Sequence, residues 1–72
     1  MNREEFLEKF VDILQTDAEL NFDMELDSID EWDSLSKMTT MSFLDSQFGI
    51  KISFAEVSDL KTIEDIAKIA GV

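Results

Sequence analysis

Seventy-two residues, 44% of them apolar, suffice for one small domain with a thin core. Seventeen acids against six bases give a net charge of −11, which argues against a nucleic-acid partner and favours basic protein surfaces. With no cysteine and no histidine, disulfides, thiolate metal sites and the usual general base are excluded. No apolar run reaches a membrane span and no signal-peptide pattern opens the chain, so a soluble, cytoplasmic protein without membrane insertion is expected.

Apolar residues recur at helical spacing from about Arg3 to Gln15. Phe6, Leu7, Phe10, Val11, Ile13 and Leu14 form an inner face, leaving Glu4, Glu5, Glu8, Lys9 and Asp12 for solvent. Asn2 with Glu5 three residues on has the form of a capping box. Residues 16–33 then hold eight acids and no base, with Leu20, Phe22, Met24, Leu26 and Ile29 spread among them. These anchors predict an ordered loop with a short helical turn, draped over the core, and a connection this long is usually functional. The first 33 residues carry twelve acids and two bases (net −10), the remaining 39 five acids and four bases (net −1). Asp23, Glu25 and Asp27 alternate as in a calcium-binding loop. Ser28, however, occupies the glycine position and Ser34 that of the closing glutamate, so at most weak calcium or other divalent cation binding is expected.

A second helix is predicted from Ser34 to Phe48, with Leu35, Met38, Met41, Leu44 and Phe48 as an apolar stripe and Gly49 as its stop. Ser34 sits where free backbone N–H groups and the positive dipole end suit a phosphate group. It either caps the helix or attaches a phosphorylated prosthetic group. Trp32 reads as a loop anchor that also stands beside Ser34. Ile50 and Ile52 lead back to the core. Ser53 and Glu56 form another capping box, opening a short third helix with Val57 and Leu60 inside. A fourth helix starts at Thr62 and turns Ile63, Ile66, Ala67, Ile69 and Ala70 inward. The whole is an all-α, four-helix bundle with one long crossover, held by packing because its helices are too short to stand alone.

Asp33-Ser34-Leu35 at the head of the second helix, Phe48-Gly49-Ile50 at its end, Ile52 in the link and Thr62-Ile63 at the last helix resemble the acyl carrier protein family over nearly the whole chain. The resemblance implies one carrier domain over residues 1–72, monomeric and not an enzyme. A phosphopantetheinyl transferase would move 4′-phosphopantetheine from coenzyme A onto Ser34, and the arm's thiol would hold acyl groups as thioesters. Asp33 would cap the helix or orient the transferase's metal and substrate, so Asp33 and Leu35 flank the cofactor site. Leu35 is the apolar residue that family members use in partner contacts; Met38, Thr39 and Trp32 complete the expected partner face. The partners implied are acyl-loading and acyl-transferring enzymes of lipid, fatty acid or polyketide biosynthesis. No resident metal is implied.

The chain departs from the family at several positions. Glu31 stands where glycine is frequent, and Trp32 where a small residue is common. The second helix carries a single acid, Asp45, with Thr39 and Ser46 where glutamate is usual. Phe43 is bulky where alanine is frequent, and Ser42 polar where an apolar residue is common. These departures predict a specialised carrier with a reshaped pocket between its helices. The alternative is an acidic helical interaction module, or a weak calcium binder, without a prosthetic group.

Overall fold

Each helix begins where a side chain takes over one of the first free backbone N–H groups. The computed structural model, which describes residues 1–72, has α1 over Arg3–Leu14, α2 over Ser34–Phe48, α3 over Phe54–Asp59 and α4 over Ile63–Ala70. All four open with a reciprocal capping box: Asn2 with Glu5, Asp33 with Ser36, Ser53 with Glu56, and Thr62 with Asp65. The all-α, four-helix fold with a long loop after the first helix and a short third helix is therefore present as expected. Two boundaries differ by one residue. Gln15 leaves α1 in the left-handed region (φ 54°), and Thr62 caps α4 instead of beginning it. Gly49 ends α2 at φ 68°, a conformation that glycine adopts without a Cβ penalty.

The core lies between α1, the long loop and α4. Phe6, Phe10 and Leu14 meet Ile63, Ile66 and Ala67, with Val57 of α3 beside them. The loop contributes Leu20, Leu26, Ile29 and Trp32 to the same cluster, and a single 3₁₀ turn at Leu26–Ser28 lies within it. One tie was not foreseen. Glu25 and Thr62 form an isolated antiparallel bridge, flanked by hydrogen bonds from Leu26 N–H to the Lys61 carbonyl (2.8 Å) and from Ile63 N–H to the Met24 carbonyl (3.2 Å). The Glu64 N–H donates to the Phe22 carbonyl at 3.0 Å, so loop carbonyls satisfy the opening donors of α4. Arg3 closes the other side of this layer. Its guanidinium pairs with Glu64 (2.6 Å), donates to the Val72 carbonyl (3.0 Å) and lies 3.9 Å from the centre of the Phe22 ring. No helix is long and apolar enough to cross a membrane.

The expected apolar stripe of α2 is corrected by the structure. Leu44 is buried and Met41 and Phe48 are half-buried, but Leu35 and Met38 are 70% and 52% exposed. The inward positions of the first half of the helix belong to Ser36 and Thr40. Both hydroxyls are satisfied locally, Ser36 Oγ donating to the Glu31 carbonyl (2.8 Å) and Thr40 Oγ1 to the Ser36 carbonyl (2.9 Å). Their burial therefore leaves no unpaired polar group.

Candidate functional site

Asp33 and Ser36 build the start of α2 and leave Ser34 out of it. The Asp33 side chain accepts from the Ser36 backbone N–H at 3.0 Å, and Ser36 Oγ accepts from the Asp33 backbone N–H at 2.9 Å. The Ser36 N–H holds the Asp33 carboxyl below the usual carboxylate range, against an opposing effect of desolvation. Ser34 is the first residue of the helix and is exposed. The side-chain bonds at this corner belong to Asp33 and Ser36, and Ser34 Oγ takes part in none. The simple capping role considered for Ser34 thus falls to Asp33. The serine hydroxyl is left at a positive helix end, with no acid in the helix's first turn.

Around Ser34 the other candidate residues divide. Leu35, Met38 and Thr39 all face solvent, and Thr39 Oγ1 donates back to the Leu35 carbonyl at 3.0 Å. Trp32 points the opposite way. It is 9% exposed, its ring lies 5.9 Å from that of Phe10, and its indole N–H is buried without an acceptor. Lys37 spans the two layers, its ammonium 5.9 Å from the Trp32 ring centre and 5.8 Å from that of Phe54.

Two features at this corner escaped sequence reasoning. Ser36 was overlooked because a serine at the third helical position lacks the Glu or Gln of the usual capping box. A groove of about 360 Å³ beside the serine was also unforeseen, since it joins the end of α1 to the start of α2. Asp12, Ile13, Gln15, Glu31, Asp33, Leu35 and Thr39 are among its walls. No pattern local to one helix announces such a juxtaposition. A second groove, of about 220 Å³, lies between Met41, Ser42 and Asp45 of α2 and Lys51 and Ile52 of the following link. Asp23, Glu25 and Asp27 do not converge, and no three carboxylates anywhere come together in a way that could hold a metal ion.

No general base is positioned on Ser34: its hydroxyl is hydrogen-bonded to neither a carboxylate nor a lysine, and the chain has no histidine. The constellation can present a hydroxyl and stabilise an anion placed on it, but it does not activate the hydroxyl itself. The model of one family, described as a phosphopantetheine attachment site, matches residues 4–70. No curated protein and no solved structure matches the chain.

Proposed function

The chain belongs to the phosphopantetheine attachment-site family, whose acyl-carrier-like members carry and do not catalyse, and we propose that Ser34 is its point of attachment. The observation that carries this reading is the division of labour at the head of α2. Asp33 caps the helix, so the exposed Ser34 hydroxyl is spared for another use. An added phosphodiester is anionic, and the first turn of a helix favours an anion there. The carboxylates of Asp30, Glu31 and Asp33 oppose it, but all three are exposed and solvent screens them. A phosphopantetheinyl transferase supplies the missing base. The serine oxygen forms the new P–O bond, the bond to the nucleotide part of coenzyme A breaks, and the serine proton passes to the transferase. The arm supplies a thiol on which acyl groups travel as thioesters.

Partner enzymes dock, in this reading, on the outer face of α2. Leu35 and Met38 give it two large apolar side chains, with Thr39 beside them. Apolar anchors of this kind carry binding energy at interfaces, while rim charges set encounter rate and choice of partner. Trp32 serves this face from beneath, through the Lys37 ammonium above its ring. With Asp45 as the one acid of α2, this face suits a specialised biosynthetic pathway better than the basic docking patches of fatty acid synthesis.

Modification tests the assignment directly. On incubation with coenzyme A, magnesium and a broad-specificity transferase, the wild type gains the mass of one phosphopantetheine and Ser34→Ala gains none. Equal labelling of the two proteins defeats it, and a folded wild type that is never labelled favours the interaction-module alternative.

A further inference from the structure

An acyl group on the arm of this carrier meets an interior already filled with aromatic rings. Phe43, on the inner side of α2, lies against Phe6 with ring centres 6.0 Å apart and meets Phe48 edge-on at 5.7 Å. Phe6, itself fully buried, stacks on Phe10 and on Phe22 at 6.4 Å each, and Phe10 continues to Trp32. Six rings thus form an unbroken chain from the long loop to the end of α2. Thr40 and Leu44 are fully buried on the same side of the helix. An interior packed in this way resists insertion, because added methylenes force side chains off their rotamers.

The open volume lies at the surface, and charged groups stand in its walls among apolar side chains, Ile13, Leu14 and Leu35 in the larger groove and Met41 and Ile52 in the smaller. Asp12, Glu31 and Asp33 face the larger groove, and Asp45 and Lys51 the smaller one. An alkyl chain laid in either would strip water from charged groups without replacing their hydrogen bonds. A small acyl group, or one bearing hydroxyl or amino substituents, meets no such penalty.

We propose that this carrier handles short or polar acyl groups that stay on its surface, and that Phe43 is the residue that bars a long alkyl chain from the interior. The inference rests on the carrier reading of Ser34, and its test separates the two. Apo protein is loaded with butyryl, octanoyl or dodecanoyl phosphopantetheine from the matching coenzyme A esters, and loading is verified by mass. Thermal unfolding and cleavage of the thioester by hydroxylamine are then measured. In the wild type the three loaded forms melt within about 2 °C of the unacylated holo form, well below the shift that substantial burial gives a domain of this size. Their thioesters are cleaved at equal rates.

In Phe43→Ala the octanoyl form melts above its own holo form by more than about 4 °C, and its thioester is protected. Phe43→Leu, which keeps more of the core, shows the same trend and serves where the alanine variant does not fold. A wild type stabilised or protected by octanoyl or dodecanoyl overturns the cargo assignment. Absence of any gain in both variants overturns the role of Phe43. Failure to load any ester removes the carrier reading, and this inference with it.

Discussion

The loop over residues 16–33 and helix α2 exchange the roles their secondary structure suggests. The loop has almost no regular structure and eight acids, yet it buries Leu20, Leu26, Ile29 and Trp32 in the main core. Helix α2 is the longest regular element, yet its first half buries only Ser36 and Thr40 and turns Leu35 and Met38 to solvent. The irregular segment is structural, and the regular helix is a presented surface. Regularity measures how a backbone satisfies its own hydrogen bonds; what the segment does depends on which side chains it turns outward.

The comparison breaks most readily on stability. Leu26→Ala empties a fully buried site and should cost about 2–5 kcal/mol, a large part of the stability of so small a domain. Leu35→Ala and Met38→Ala remove exposed side chains and should stay within about 0.5 kcal/mol of the wild type. Urea titrations of the three variants decide it, and similar losses at Leu26 and Leu35 would erase the distinction between the regions.

Acid sharpens the comparison next, because it acts on the caps of α2 and α4 through Asp33 and Asp65. The Ser36 N–H lowers the Asp33 carboxyl, and the Lys61 and Thr62 N–H groups lower that of Asp65. Stability drawn from a lowered carboxyl is fully present above the ordinary carboxylate range and is lost as pH falls through the lowered value. The melting temperature should therefore hold from neutrality to about pH 5 and fall once the pH passes below about 4. The double variant Asp33→Asn, Asp65→Asn should flatten that acid limb; an unchanged limb would mean that the caps do not govern it.

The smallest effect expected is that of salt on the loop. Its eight acids have no base among them, and no three carboxylates converge on a metal site. Screening alone should then raise the melting temperature by a few degrees, with sodium and magnesium equivalent at matched ionic strength. A selective gain with millimolar magnesium or calcium would reveal a cation site in the loop after all.

Much of the helical frame was readable because helix starts are local chemistry. Asn2 with Glu5 and Ser53 with Glu56 announce two of the four caps within four residues of chain. The loop's role was readable from its anchors, which a solvated linker would lack. The inward face of the first half of α2 was not, since hydrophobicity is the signal used and this stretch inverts it, with Leu35 and Met38 outward and Ser36 and Thr40 inward. Ser36 and Thr40 can be buried only because the Glu31 and Ser36 carbonyls accept their protons, and such pairing is invisible before the backbone is folded. The Glu25–Thr62 bridge and the groove beside Asp12 join distant segments, which no pattern within one element could foretell.

The bridge between the loop and α4 also orders events in time. The Ile63 N–H reaches back to the Met24 carbonyl, and the Glu64 N–H to that of Phe22, across most of the chain. Contacts of such long sequence separation close late, after their loop entropy has been met. During synthesis α1 and α2 emerge first, but the backbone of the Phe22–Leu26 stretch between them lacks its long-range hydrogen-bond partners until the start of α4 leaves the ribosome. The loop that leads to Ser34 is thus tied down from the far end of the fold, and a nascent chain offers its serine on a finished scaffold only once α4 has been made.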